Sequence, residues 1–308
     1  MTEKKKSAAG SQPAAGAADT PGWKPTPEAK KQATTFRWIA AVLWFLAIAG
    51  EAVGIFWLLR QRVVIGEEGT FRRDTETGLL TGGVETQFPQ WAFITLIVLL
   101  VVIAALSITG SLLWKKANRL DPARKSDTVR FFVQNQLGAI IAIIAFLPLV
   151  ILIFLNKDMD KGQKTTAGII GVVLAAVAVF FGIDFKPSSV EQYDADQSTV
   201  IQLLGKDQVV WVDGGKVYHV CDQVPDIQTG SDKRTGTTAE AVAAGKLRLT
   251  LRFASEMKTC GLTVPENSDE ITAALREIQN GKESTPLPVP VWTDPTKAPI
   301  VVKDAPAN

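Results

Sequence analysis

Four long apolar runs constrain this chain more than any other feature of its sequence. They are separated by polar segments and all end before Lys186: Trp38–Leu59, Trp91–Trp114, Leu137–Leu155 and Ala167–Phe185. A helix rises about 1.5 Å per residue, so roughly 20 apolar residues cross the hydrocarbon core of a bilayer. The second and third runs contain no charged residue. The pattern predicts an all-α transmembrane bundle of four helices over residues 36–186.

The distribution of Lys and Arg predicts how the chain is oriented, because basic residues near helix ends resist translocation. The first and third loops are longer or have their basic residues balanced by acidic ones, although Arg60 and Arg62 favour the opposite orientation. The excess lies in the N-terminal segment and the short second loop, at Lys24, Lys30, Lys31, Arg37, Lys115, Lys116, Arg119, Arg124, Lys125 and Arg130. We expect a protein of the bacterial plasma membrane with both termini on the cytoplasmic side.

The segments outside the bundle differ in composition. Residues 1–35 are rich in Ala, Gly, Pro, Ser and Lys without apolar periodicity, which predicts a disordered N-terminal tail. The extracytoplasmic loop 60–90 is long for a connector and is either a short hairpin or a flexible loop. Residues 187–280 are expected to form a small α+β soluble domain, and the Pro-rich residues 281–308 an extended or disordered C-terminal tail.

Within the soluble domain, turn and periodicity signals define the elements. Gln208–Val212 and Lys216–Val220 are β-rich runs around an Asp-Gly-Gly turn, which predicts a hairpin. Thr237–Ala244 is a predicted helix, followed by a predicted strand at Leu247–Phe253. Ser268–Asn280 carries one apolar stripe and is a predicted helix with Ser268 as its cap.

One acidic residue, Glu51, lies well inside the first apolar run. An ionisable group at this depth is costly in lipid and is expected to face protein or water. Gly50 and Gly54 beside it have a GxxxG spacing, which allows close helix approach. Glu51 is either a proton or cation relay or, as we favour, a packing acid bonded to another helix. Its candidate partners are Ser107, Thr109 and Ser111.

The fourth apolar run has a seam of small residues at Gly171, Ala175, Ala178 and Gly182. Such seams let helix backbones approach closely. The sequence leaves open whether this helix packs on a neighbour in the same chain or on a partner.

Soft metal ligands are scarce, since the chain has one His and two Cys. His219 and Cys221 are two apart on a predicted strand and share a face, and Cys260 is a third candidate ligand. A structural zinc site needs four ligands, so we expect a metal-free domain without cofactors. The two cysteines can form one disulfide, but in a cytoplasmic domain they are expected to be reduced.

Several short motifs occur in one order along this domain. They are Trp211 to Gly215, Tyr218-His219, Cys221, Gly236-Thr237, Glu240-Ala241 and Gly245-Lys246. The run resembles a small C-terminal module of actinobacterial multi-pass membrane proteins, and it covers none of the apolar runs. In that module the Tyr-His pair and a Cys are followed by a final Cys-x-x-Cys. Here Cys221 follows His219 closely and only Cys260 stands near the final pair, so any metal site that the resemblance implies is incomplete.

The sequence has no motif for nucleotide binding or hydrolysis in the strand–helix context that such a motif needs. The motifs considered are a Walker loop, a dinucleotide fingerprint, HExxH and GxSxG. A net charge of +2 gives no basic field for nucleic acid. We expect a non-catalytic accessory or scaffold subunit of a larger membrane complex, respiratory or transport, whose partners are the lipid bilayer and other membrane subunits. The alternatives are a small proton- or ion-coupled transporter centred on Glu51 and a sensor whose C-terminal domain binds a ligand or metal.

Overall fold

The computed structural model contains four helices that are long and apolar enough to cross a membrane. They are α1 (Pro27–Phe56), α2 (Gln90–Leu120), α3 (Thr128–Leu155) and α4 (Lys161–Gly182), with a 3₁₀ turn at Leu58–Arg60 after α1. The number and order of the predicted helices are confirmed, and all four begin before the predicted run. The structure describes residues 22–65, 72–73, 75, 80–81, 85–225, 227, 232–282 and 285–299.

The N-terminal boundary of the bundle was predicted too late in the chain. Thr26 caps α1 by accepting a hydrogen bond from the Ala29 N–H at 3.1 Å, and Pro27 occupies the first helical position, where its missing N–H costs nothing. Residues 27–35 are therefore helical, and Trp23 before them is buried. The prediction of disorder fails for residues 22–35, while residues 1–21 lie outside the described part of the chain.

The bundle is apolar on both its inside and its outside. Its core is a continuous cluster that includes Leu96, Leu100, Phe146 and Leu149. Large apolar side chains such as Phe45 are exposed on the outer faces of the helices. Because lipid tails solvate such side chains, this surface is typical of a membrane-embedded bundle.

The loop between α1 and α2 forms antiparallel pairs, so the hairpin interpretation holds for its described residues. Strand β1 (Val63–Ile65) pairs with β4 (Glu85–Gln87), and β2 (Arg72–Arg73) pairs with β3 (Leu80–Thr81). Asp158, in the connection between α3 and α4, anchors the loop. Its carboxylate accepts the Thr86 hydroxyl at 2.6 Å, and its carbonyl accepts the Phe88 N–H at 2.7 Å.

The C-terminal domain is a mixed α+β unit built on two small sheets. Strand β5 (Val209–Val212) pairs antiparallel with β7 (Lys233–Gly236), and β6 (Val217–Tyr218) pairs in parallel with β8 (Arg248–Leu249). A bridge between Val210 and His219 joins β5 to β6 as the hairpin prediction requires. The elements are α5 (Val190–Leu204), β5 (Val209–Val212), β6 (Val217–Tyr218), β7 (Lys233–Gly236), α6 (Thr238–Ala243), β8 (Arg248–Leu249), α7 (Phe253–Thr259) and α8 (Ser268–Gln279).

Three sequence predictions in this domain need correction. The predicted strand at Leu247–Phe253 is only two residues long, because Phe253 already begins α7. Ser268 is the first helical residue of α8 rather than its cap, which is Asn267. The predicted C-terminal tail is docked over its described part, since the Val291 N–H donates to Asn267 Oδ1 at 2.8 Å and Trp292 packs against the domain core.

Candidate functional site

Glu51 lies in the centre of the bundle, where its side chain is 5% exposed. Its carboxylate accepts a hydrogen bond from the backbone N–H of Leu149 on α3 at 3.3 Å. Leu149 follows Pro148, which has no N–H to add to the helix ladder. Glu51 therefore joins α1 to α3 beside a proline.

Neither serine among the expected hydroxyl partners bonds to Glu51, and the third candidate, Thr109, is exposed. Ser111 donates to the Ser107 carbonyl at 2.9 Å within its own helix. The Ser107 hydroxyl is buried with no hydrogen-bond partner among the described residues. The acid thus bonds to main chain, and sequence could not identify this partner because Leu149 is 98 residues away.

The small residues of α1 and α4 pack against helices of the same chain. A Cβ on Gly50 would lie 3.4 Å from Ile103, and one on Gly54 would lie 3.2 Å from side-chain atoms of Leu99 and Leu149. Both glycines therefore face the interior of this bundle.

Helix α4 approaches α3 more closely. A Cβ on Gly171 would lie 2.8 Å from Val150, and one on Gly182 would lie 2.6 Å from backbone atoms of Gly138 and Ala139. Ala178 is fully buried and Ala175 packs partly against the core, which completes the seam. All four residues line an interface within this chain, so the small-residue seam packs α4 on helices of the same chain.

The C-terminal domain is fastened directly to the end of the bundle. Trp23, 2% exposed, packs against Tyr193 of α5 with tilted rings whose centroids lie 4.7 Å apart, and the backbone N–H of Trp23 donates to the Asp194 carboxylate. The Tyr193 hydroxyl donates to the Arg119 carbonyl near the end of α2 at 3.2 Å. Burial raises the pKa of Tyr193 to about 12, so this donor keeps its proton.

A second set of contacts joins the loop between α2 and α3 to the same domain. The Lys125 N–H donates to both oxygens of the Glu191 carboxylate at 3.0 and 3.1 Å. The Lys125 ammonium donates to the Gly281 carbonyl at 2.9 Å, after the end of α8. With only seven residues between Gly182 and Val190, the domain has little freedom to move relative to the bundle.

The three candidate metal ligands lie close together but are otherwise engaged. Cys221 and Cys260 form a disulfide, which differs from the thiols expected of a cytoplasmic domain. His219 Nδ1 lies 2.8 Å from Glu256 Oε1, and both side chains are buried. Disulfide sulfurs are not thiolate ligands. No group of three or more His, Cys, Asp or Glu side chains with metal-site geometry occurs within the described residues.

The motif residues of the domain have structural roles. Thr237 and Glu240 form a reciprocal capping box at the start of α6. Gly236 is required because a Cβ there would lie 2.9 Å from the Trp211 ring. The buried Lys246 ammonium donates to three carbonyls of the turn between β5 and β6, including Gly215 at 2.8 Å.

A fully buried acid, Asp196 on α5, was not identified from the sequence. It accepts hydrogen bonds from the Tyr218 hydroxyl at 2.9 Å, the Leu249 N–H at 2.8 Å and the Gln279 amide at 3.0 Å. Burial raises its pKa to about 6, and the three hydrogen bonds oppose that rise. Asp196 thus joins α5, β6, β8 and α8.

Together these features define a class of protein: a four-helix, membrane-compatible bundle with an α+β domain fixed at one end. No protein-family model, no curated protein and no solved structure matches the chain.

Proposed function

We propose that this protein is a non-catalytic accessory or scaffold subunit of a larger assembly in a bacterial plasma membrane. The observation that carries the proposal is the direct fastening of the C-terminal domain to the bundle through Trp23, Tyr193 and Lys125. A sensor or carrier needs parts that move, whereas a structural subunit needs surfaces held at fixed positions. Folded elements at both ends of one bundle suit the structural role.

The orientation belongs to the same proposal: both termini are cytoplasmic and residues 60–90 are outside. The contact between Trp23 and Tyr193 supports a common side for the N-terminal segment and the C-terminal domain. That side also holds the excess of Lys and Arg near helix ends, which favours the cytoplasm. Reporter fusions after residues 90 and 300 are expected to be outside and inside, respectively. The reverse pattern would overturn the orientation.

The outer loop offers a surface for a partner subunit. All three side chains of β1 are apolar and exposed, with Val64 57% exposed, and within the described part of the loop β4 is the one strand paired with it. An exposed apolar strand at a sheet edge is a ready site for another chain.

The test compares two apolar-to-acidic variants in cells. Val64→Asp is expected to reduce chemical cross-linking of the protein to neighbouring membrane subunits while leaving its membrane insertion intact. Leu262→Asp is the matched control, because Leu262 is an exposed apolar residue of the C-terminal domain. Equal cross-linking of wild type and Val64→Asp would remove the outer loop from the proposal. Absence of any cross-linked partner in wild type would overturn the scaffold function.

A further inference from the structure

A cavity of about 320 Å³ lies where the bundle meets the C-terminal domain. Four of its ten lining residues are cationic, and none is acidic. These cations come from four separate segments: Arg119 from α2, Lys186 from the connection after α4, Arg248 from β8 and Arg276 from α8. The fold therefore concentrates positive charge around one opening.

Most of this charge is not neutralised inside the protein. Among the described residues, no carboxylate forms an ion pair with Arg119, Lys186 or Arg276. Arg248 donates to the side-chain oxygen of Gln279, a neutral group, at 3.0 Å, and it also interacts electrostatically with the buried Asp196. Four like charges gathered around one opening repel one another, and an anion between them relieves that repulsion.

The nearby acids are held away from the opening. Asp196 is buried behind Gln279, whose amide donates to it. Asp184 accepts the backbone N–H of Lys186 at 3.3 Å, and Glu191 accepts that of Lys125. The cavity thus has cationic walls and acids that are already hydrogen-bonded.

The floor of the cavity is fixed and partly apolar. The buried Gln192 donates to the Leu247 carbonyl at 3.1 Å, and Gln279 donates to the Leu249 carbonyl at 3.1 Å. Leu247 and Leu251 add apolar surface beside the hydroxyl of Ser188. A small ligand with one anionic group and a short neutral body matches this lining.

The position of the cavity narrows the ligand class. Arg119 is in the last turn of α2 and Lys186 lies four residues after the end of α4, so both lie at the same end of two candidate membrane spans. Basic pockets at this level bind the phosphates of lipid headgroups. We propose that the cavity binds a phosphate ester, either an anionic phospholipid headgroup or a soluble phosphorylated compound. This inference is independent of the scaffold function.

The test uses full-length protein purified in dodecyl maltoside, with binding measured by titration calorimetry. The probes are inorganic phosphate and dihexanoyl phosphatidylglycerol, with dihexanoyl phosphatidylcholine for comparison. Lys186→Gln/Arg276→Gln removes two cavity cations and is expected to weaken binding about tenfold or more. Lys206→Gln/Lys258→Gln removes two exposed cations that do not line the cavity, and it is expected to bind like wild type.

Each outcome decides between the alternatives. If phosphatidylglycerol binds and inorganic phosphate does not, the site is assigned to lipid. If inorganic phosphate binds, the site is assigned to soluble phosphorylated compounds. The proposal is overturned if neither probe binds wild type, or if both double variants bind as wild type does. If circular dichroism shows that the cavity variant is unfolded, Arg276→Gln alone supplies the comparison, because its side chain is exposed.

Discussion

Replacing Gly182 by Ala tests the close approach of α4 to the backbone of α3. The new Cβ would lie 2.6 Å from Ala139 Cα and from Gly138 C, where ordinary contacts begin near 3.4 Å. These are backbone atoms, so no side-chain rotation relieves the clash, and α3 and α4 must separate by roughly 1 Å. Overpacking of this kind costs about 1–3 kcal/mol in free energy of unfolding.

Gly50→Ala is the matched control. Its Cβ would meet Ile103 at 3.4 Å and Leu99 at 3.5 Å, which are ordinary contacts with side chains. Alanine also favours a helix interior by up to about 1 kcal/mol over glycine. We therefore expect the two variants to change stability in opposite directions, or Gly50→Ala to be neutral.

The assay is equilibrium unfolding by sodium dodecyl sulfate in mixed micelles, followed by helical circular dichroism. Gly182→Ala is expected to shift the transition to a lower fraction of denaturing detergent than wild type, and Gly50→Ala is not. Equal transitions for the two variants would show that the seam of α4 does not hold α3 as closely as described.

Three further predictions concern ionisable groups and cysteines. Glu51→Gln is expected to match wild type in stability and partner retention, because the amide oxygen can still accept a hydrogen bond from the Leu149 N–H. Glu51→Leu loses that hydrogen bond, which is worth roughly 0.6 kcal/mol. Loss of partner retention in a folded Gln variant would favour the relay. Asp196 has a pKa raised to about 6, so its contribution to stability is complete below pH 4 and is lost as pH rises through 6, by roughly 3 kcal/mol. Asp196→Asn should remove that part of the pH dependence in thermal melts, and an unchanged profile would refute it. The structure pairs Cys221 with Cys260, but in the cytoplasmic location proposed for this domain the reducing cytosol keeps the two residues as thiols, so in growing cells both are expected to react with maleimide without reductant. Reaction only after reduction would instead locate the domain outside.

Sequence patterns predicted the elements whose signal is local. Continuous apolar runs identified all four long helices, and an apolar stripe identified α8. Helix α5 was missed because the polar residues Asp196 and Thr199 interrupt its buried face, although residues typical of helix ends mark both of its termini. Ser189 accepts the Gln192 N–H at 3.2 Å, and Gly205 ends the helix with φ of 78°.

The parts of the site that depend on distant contacts were not predictable. The burial of Glu51 followed from its position in an apolar run, but its partner comes from another helix. The disulfide joins cysteines 39 residues apart, and inventory showed only that it was possible. Arg119 and Arg276 were ordinary surface cations in the sequence, and only the docking of the domain brings them to one cavity.

The mass of the native particle tests the proposed function most directly. The tagged protein, expressed at its natural level, would be extracted in a mild detergent and weighed by native mass spectrometry. A single chain has a mass of 33.2 kDa. We expect a particle in which one or a few copies of this chain are joined to other membrane subunits in a fixed ratio. A particle of 33.2 kDa, or one composed only of copies of this chain, would contradict the account.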